Sequence, residues 1–536
     1  MLNGLSAAPA NCGLNPVKTA LSIYESISAP MSIVKPNIFH ANSMLNVCAK
    51  QQDMDTLWKM AGDLPESGPG SPDPWTYTII LKAIRQSSQR DLIGVDPKDF
   101  RTILGRKAQS VREGKRIWSD ILFRWNQGQR TIDNICVNAL ADLLQDGSSD
   151  QDYYDFFALY NQVFGIPNLA ENPAELRQRH RQREGGEEGE ARGAEEVHVP
   201  FVDKHNRIIE GSEDEKPDNQ HEETFEGLFD KPIKIQDRLE GLSELVETSR
   251  PKPTNSELSV LLSVCYTMTQ GSGIGKAYWE LLTREDGEYR IKPDSLAYHE
   301  YLRLLRVSRS SRAALTLMRD QMGPADLLLG KTFHIAFSVC RRDQRNVNVF
   351  NTMNELLALM PEYLVLPDPR ALMDYLDMVS LLASNPHLLM ALKGIDVKPM
   401  SESGSLDEYG RQLQSALRTA AARNLHPHLV NLEMAMGQEG RRPSLRITGP
   451  GDPAIRGDQA IKALVKARHM IDVNLDLETE PLLSKEDRDW LLEETKRLRK
   501  YSAQDLTERF RDTIVIPTRQ QKQQFIDGRK QKGLAV

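Results

Sequence analysis

Residues 36–50 read PNIFHANSMLNVCAK, and the phase of this stretch decides the fold. The turn Lys35-Pro36-Asn37 opens onto a helical run in which Cys48 is the eleventh residue counted from Ile38. The same phase returns after Lys252-Pro253-Thr254 and after Leu328-Leu329. Counted from Asn255 and Gly330, Cys265 and Cys340 fall eleventh as well, each preceded by Ser-Val where Cys48 has Asn-Val. Starts at Pro74, Asn134 and Ser295 place Ile84, Leu144 and Leu305 at that position, all apolar. Self-similarity at a period of about 35 residues is the signature of a solenoid, in which each unit buries its apolar face only against its neighbours.

Each unit begins after a Pro- or Asp-bearing turn and continues as two helical stretches. Ile38 to Asp73 holds HANSMLNVCAK and DMDTLWKMAGDL; in the second, Met54, Leu57, Trp58, Met60, Ala61 and Leu64 share one helical face. Pro74 to Asp133 opens with WTYTIILKAIRQ and closes with GKRIWSDILFRW, separated by an inserted stretch at about 86–109 without sustained period. Asn134 to Asn168 completes a first block of repeats over 15–168. Residues 169–236 are polar and acidic, too poor in apolar groups to offset chain entropy, and read as mostly disordered. A lone amphipathic helix near Asp237 to Glu247 opens a second block over 237–383, with units Asn255–Asp294, Ser295–Leu329 and Gly330–Asp368 and a degenerate one from Pro369. A helical extension follows over 384–440, then a Pro/Gly-bearing linker over 441–457. The C-terminal part, 458–536, holds a helix at Asp458–Ile471, a long charged helix from Lys485 to Thr513 capped by Ser484, and a basic tail.

The 536 residues are 40% hydrophobic, 27% charged and only 6% aromatic, which suits helical repeats. No apolar run approaches the roughly 18 residues of a membrane span, so no membrane span is expected. Five widely spaced cysteines, three of them at one repeat position, indicate packing, with no metal site and no disulfide framework. The net charge of −7 is uneven: segment 171–226 carries 17 acidic and 8 basic residues, and the remainder of the chain is near neutral. Charge therefore leaves an RNA ligand open. Residues 1–14 lack the pattern of a presequence or secretory signal, and Val17 to Ile27 reads as the second helix of a repeat whose first helix lies outside this chain.

Enzyme motifs are missing. The sequence has no His-Glu-x-x-His, no Walker-type loop and no Gly-rich turn after a strand, so no catalytic residue and no cofactor is assigned. Gly271-Ser272-Gly273-Ile274-Gly275 falls where the inter-helix turn of a repeat belongs, and reads as that turn.

The segments PNIFHANSMLNVCAK, PDPWTYTIILKAI and KPDSLAYHEYLRLL share two features. An aromatic or Ala residue precedes the polar residue that opens the first helix, and the unit closes on Lys-Pro-Asp or a relative. This resembles the pentatricopeptide repeat family, over about 15–168 and 237–383. The resemblance implies an all-α fold, a right-handed superhelix of helical hairpins that binds single-stranded RNA in its groove, one base per repeat read by two or three side chains. Carried over, the fifth position gives Asn42, Thr78, Asn138, Ser259, His299 and His334. The last gives Asp73, Asp133, Asn168, Asp294, Leu329 and Asp368, of which Leu329 has no group to bond a base. The second, which sandwiches the base, gives Phe39, Trp75, Ile135 and Leu296, while Ser256 and Lys331 depart from it. The family's pairing preferences give U for Asn42 with Asp73, G for Thr78 with Asp133 and a pyrimidine for Asn138 with Asn168. The resemblance also implies a non-catalytic, mitochondrial protein acting on organellar mRNA or rRNA in processing, stability or translation. The alternative is a helical scaffold or assembly protein of the small mitoribosomal subunit. From the residues alone, a polar side chain at a helix start is equally an N-cap, and Phe39 and Trp75 are equally inter-repeat packing.

Overall fold

The computed structural model describes residues 2–6, 15–129, 131–147, 149–173, 175–176, 201–202, 208–209, 225, 227–233, 251–268, 271–395, 397, 406–436, 455–476, 482–501 and 513–514. The protein is an α-solenoid. Its only extended pairings among the described residues are two-residue antiparallel ladders, Phe201–Val202 with Ile208–Ile209 and Ile455–Arg456 with Thr513–Ile514. The chain divides into two compact units, Met1–Lys292 and Pro293–Val536.

In the first unit, α1 (Leu2–Leu5) and α2 (Pro16–Ser28) precede a series of helical hairpins. These are α3 (Ile38–Gln51) with α4 (Met54–Gly62), α5 (Pro74–Asp91) with α6 (Phe100–Asn126), α7 (Asn134–Gln145) with α8 (Asp150–Phe164), and α9 (Asn255–Thr267) with α10 (Gly271–Thr283). The first helices stack in order, α3 on α5, α5 on α7 and α7 on α9. In the second unit, α11 (Ser295–Val307) pairs with α12 (Ser311–Leu317), which runs into a π turn at Met318–Met322. Next come α13 (Gly330–Arg342) with α14 (Val349–Tyr363), and α15 (Pro369–Ser384) with α16 (Pro386–Ala391). Then follow α17 (Leu406–Met436), α18 (Gly457–Asn474) and α19 (Lys485–Leu498). Here α11 packs on α13 and α13 on α15, and α18 takes the next place against α15, flanked by α17 and α19.

The repeat phase marks the seam between hairpins. Cys48, Ile84, Leu144, Cys265, Leu305 and Cys340 are all buried, each contributing roughly 1–3 kcal/mol of apolar burial. Burial pushes the Cys48 thiol up to about 11, with nearby Asp53 adding to the shift, and raises Cys265 and Cys340 further. The described cysteines are unpaired and protonated, suited to packing and unsuited to nucleophilic or metal chemistry.

Four features differ from the sequence reading. The stretch 86–109 is largely helical, because α5 continues to Asp91 and α6 begins at Phe100. An ion pair from Arg106 to Asp91 at 2.6 Å and a bond from Arg106 to Ser87 at 3.2 Å clamp this elongated hairpin. Polar clamps leave no trace in hydrophobic periodicity. The glycines at 271–275 are the first turn of α10, and the inter-helix turn precedes them. A Cβ on Gly271 would lie 2.0 Å from the Cys265 carbonyl oxygen, so glycine there permits the close approach of α9 to α10. The charged C-terminal helix ends at Leu498, where Tyr501 N–H closes a turn onto the Leu498 carbonyl; Thr513 is in a ladder.

The fourth difference is continuity. Hairpins α7–α8 and α9–α10 are direct neighbours although about 90 residues separate them in sequence. Asn134 Nδ2 donates to the Lys252 carbonyl at 3.2 Å, Gln145 Nε2 donates to Ser263 at 3.1 Å, and Phe157 stacks on Tyr278 with centroids 5.4 Å apart. The intervening segment is pinned at both ends. Tyr278 OH donates to the Pro167 carbonyl and accepts from Leu169 N–H, both at 3.0 Å. At the far end, buried Gln162 donates from Nε2 to the carbonyls of Leu228 (3.0 Å) and Lys231 (2.9 Å), while its Oε1 accepts from Trp118 Nε1 at 2.9 Å. Phe229 is buried beside this knot. Most of 169–236, the helix expected at Asp237–Glu247, the linker 441–454 and the basic tail lie outside the described residues.

Candidate nucleic-acid interface

The second residue of several first helices is large, apolar and exposed. Phe39 is 73% exposed, Trp75 50% and Ile135 50% in the first unit, and Leu296 is 52% exposed in the second. Each sits in the opening turn of its helix, and in α5, α7 and α11 the next residue, Thr76, Cys136 or Ala297, is buried. Phe39 is thus mostly outside the packing between repeats, and Trp75 is half within it. Lys82 Nζ lies 6.0 Å from the Trp75 ring centroid, placing a cation at the same face. Ser256 and Lys331 occupy this position in α9 and α13.

The last-position residues cap the next helix. Asp73 accepts from Thr76 N at 2.8 Å, Asp133 from Cys136 N at 2.7 Å, and Asp294 from Ala297 N at 2.8 Å. Each carboxylate satisfies an orphan amide and meets the positive helix terminus. Asp368 also caps, through Arg370 N at 2.9 Å, but it is buried and gripped by the Arg370 guanidinium at 3.1 and 2.7 Å. Leu329 stands at a cap position and supplies no polar atom; Thr332 Oγ1 accepts its N–H at 3.2 Å instead. Asn168 bonds within its own segment, to the Tyr154 carbonyl at 3.4 Å and from Ala170 N at 3.0 Å. The residue at the head of the next stacked helix is Thr254, so the cap position beyond α7 falls there and not at Asn168. Only the long excursion between α8 and α9 hid this, because counting a fixed unit length stops at 168.

Four of the six fifth-position residues, Asn42, Asn138, His299 and His334, bond to the next hairpin. Asn42, 3% exposed, donates from Nδ2 to Asp73 Oδ1 at 3.0 Å and accepts from Thr76 Oγ1 at 2.7 Å. Thr78 is buried and donates to the Pro74 carbonyl at 2.8 Å. Asn138 donates to Ser256 Oγ at 3.0 Å and Glu257 Oε1 at 2.8 Å, and accepts from Tyr160 OH at 2.8 Å. Ser259 is buried and its hydroxyl has no partner among the described residues. His299 is 4% exposed, with Nε2 2.9 Å from Thr332 Oγ1; burial, with Lys331 adding, pulls its pKa down to about 4, so the ring is neutral. His334 is half-buried, and its Nδ1 lies 2.5 Å from Asp374 Oδ2, which raises its pKa.

In the first unit Phe39, Trp75 and Ile135 are exposed, with Asp73 and Asp133 part-buried; in the second, Leu296 and Asp294 are exposed; of the fifth-position residues, Asn42, Thr78, Ser259 and His299 are buried. Sequence reasoning missed the third residue of the following helix, Thr76, Glu257 or Thr332, as the partner of the fifth. Its signal is a Thr or Glu three residues after a cap, the capping-box pattern. No cluster of metal-ligating side chains occurs among the described residues, and no described helix is long and apolar enough to cross a membrane.

No protein-family model matches the chain, and no curated protein matches it. Among solved structures it is similar to the crystal structure of the pentatricopeptide repeat protein PPR10 from maize, at 10% identity over 94% of this chain and 79% of that one. The TM-score of 0.19 is too low to carry an overall arrangement or a function from one to the other.

Proposed function

We propose that this chain binds single-stranded RNA without doing chemistry, along the opening turns of its first helices. The observation behind this reading is the exposed row Phe39, Trp75 and Ile135 at one register of three consecutive hairpins, each beside a capping carboxylate at 73 or 133 or, for Phe39, the capping Asn37. The exposed part of these groups contributes nothing to the fold, whereas a base stacked on an aromatic side chain such as Phe39 or Trp75 contributes about 1–3 kcal/mol. The carboxylate edge beside them accepts from a base N–H, so sequence preference and stacking arise in one place. Organellar mRNA or rRNA is the proposed ligand and the mitochondrion the proposed compartment, with a role in transcript processing, stability or translation. A titration with single-stranded RNA at two salt concentrations tests the reading. Binding that weakens with salt and is reduced by Phe39→Ala with Trp75→Ala supports it; no measurable binding at low salt overturns it.

A second reading applies to the second unit, favoured by the clamped, buried Asp368 and by Leu329 and Lys331 at reading positions. There the helical surface would serve as a scaffold for protein or rRNA, on the small mitoribosomal subunit. Co-sedimentation with that subunit, lost on truncation after residue 440, is the expected result; retention after truncation refutes it.

A further inference from the structure

At three junctions in the stack, the fifth residue of one first helix bonds the third residue of the next. Thr76 Oγ1 meets Asn42 Oδ1 at 2.7 Å, Asn138 Nδ2 meets Glu257 Oε1 at 2.8 Å, and His299 Nε2 meets Thr332 Oγ1 at 2.9 Å. The third residue is simultaneously engaged with the backbone at its own helix start. Thr76 Oγ1 accepts from Asp73 N at 3.1 Å, Glu257 Oε2 from Thr254 N at 2.6 Å, and Thr332 Oγ1 from Leu329 N at 3.2 Å. A backbone amide therefore reaches each fifth residue through one intervening side chain.

The chemistry of that side chain favours one sense of the bond. A threonine hydroxyl that accepts the cap N–H has its own hydrogen left to give. Thr76 Oγ1 lies 2.7 Å from Asn42 Oδ1 and 2.8 Å from Asp73 Oδ1; its single hydrogen given to the Asn42 carbonyl holds that oxygen on Thr76, while the Asn42 amide goes to Asp73, which only accepts. Thr332 Oγ1 likewise has its hydrogen free for His299 Nε2 once it accepts the Leu329 N–H, an arrangement in which the neutral ring would carry its proton on Nδ1. A glutamate can only accept, so Glu257 draws the Asn138 amide forward, and the Asn138 carbonyl turns back to Tyr160 OH. Toward the third residue of the next hairpin Asn42 thus presents its carbonyl and Asn138 its amide.

We infer that at these three junctions the third residue of the following hairpin is a positioning residue that sets the polarity of the fifth residue before it, and through it the hydrogen-bonding edge offered to RNA. At the first junction the Thr76 backbone N–H and the Asn42 amide both donate to Asp73 Oδ1, at 2.8 and 3.0 Å. They fix the carboxylate plane, and Oδ2, which takes part in none of these bonds, is the edge presented. The RNA part of this inference rests on the proposed function; the polarity part does not.

Two measurements test it. In full-length protein without RNA, the nitrogen shifts of His299 in selectively labelled samples report the tautomer. The Nδ1–H form is expected, with Thr332→Val giving a mixture and Thr332→Ser restoring it. An Nε2–H form in the wild type overturns the inference. In the second, RNA pools with one position fixed at a time give the base preference at each site. Thr76→Val is expected to lower the strongest preference near the first hairpin by about tenfold, one hydrogen bond's worth, while affinity for the whole pool and its salt slope stay put. Thr76→Ser should keep the preference. If Thr76→Val does not fold, Asp73→Asn, which retains an N-cap, should change the preferred base at the same site. Preferences unchanged in Thr76→Val, or in Asp73→Asn, overturn the inference, whereas a wild type that binds no RNA overturns only the proposed function.

Discussion

Replacing Gln162 with leucine should release the end of the acidic excursion while leaving the stack itself in place. Gln162 is buried and makes three side-chain bonds of 2.9–3.0 Å, one from Trp118 Nε1 and two to the carbonyls of Leu228 and Lys231. Leucine fills similar space and offers no polar atom. Trp118 is fully buried, so its indole N–H is left without a partner, costing about 1–3 kcal/mol. The two carbonyls sit in a segment that can undock into water, so each loses only its net bond, about 0.5–1.5 kcal/mol. The sum is about 2–6 kcal/mol, shared between global stability and local release. Thermal unfolding reads the first. Limited proteolysis reads the second, with new cleavage between Leu228 and Ile233, whose N–H bond to the Gln162 carbonyl at 3.2 Å would remain as the last tie. Trp118→Phe in the Gln162→Leu background removes the orphaned N–H and should cost less than in the wild type, a coupling of about 1 kcal/mol or more. Additive costs, or a protease pattern unchanged in Gln162→Leu, would refute the view that this one side chain ties the excursion to the stack.

Gly271→Ala should destabilise the first unit by about 1–3 kcal/mol or more in denaturant titration, because the obstructing atoms are the Cys265 backbone and not a movable side chain. Acidification should weaken the second unit as pH falls from about 6.5 toward 4. There burial holds His299 and His428 neutral with pKa values near 4, so the unfolded chain takes up their protons first. Fully buried His428 alone accounts for about 3 kcal/mol of this, and His428→Gln should flatten the thermal stability profile over that range. His334 acts with the opposite sign: its raised pKa gives stability present below the unfolded value and lost as pH rises through the folded one. It is 45% exposed and therefore the smaller effect, and Asp374→Asn should remove it from the same profile.

The stack was readable because its seam is apolar and recurs at one phase. Cys48, Cys265 and Cys340 needed only counting, and each lies where counting put it. What escaped is polar or is set by backbone proximity. Arg106 with Asp91 holds an extended hairpin that hydrophobic periodicity could not register, and Gly271 resembles a turn because its close neighbour, the Cys265 carbonyl, is visible only in three dimensions. Thr254 stands where Asn168 was expected, since an excursion between α8 and α9 breaks the count without breaking the stack. The second-position row was legible as residue types, but its exposure was not: Phe39 and Trp75 could have been packing groups until their surroundings were known. The fifth-position residues were legible as polar and not as buried, because a hydrogen bond to a residue 33 or 34 positions away leaves no local mark.

The most direct test of the account is photocrosslinking of full-length protein to single-stranded RNA containing 4-thiouridine, with the attached peptides identified by mass spectrometry. Crosslinks on the peptides that carry Phe39 and Trp75, lost in the Phe39→Ala, Trp75→Ala double variant, are the predicted result. Crosslinks confined to the helices between 406 and 498, with the double variant binding RNA as the wild type does, would contradict it.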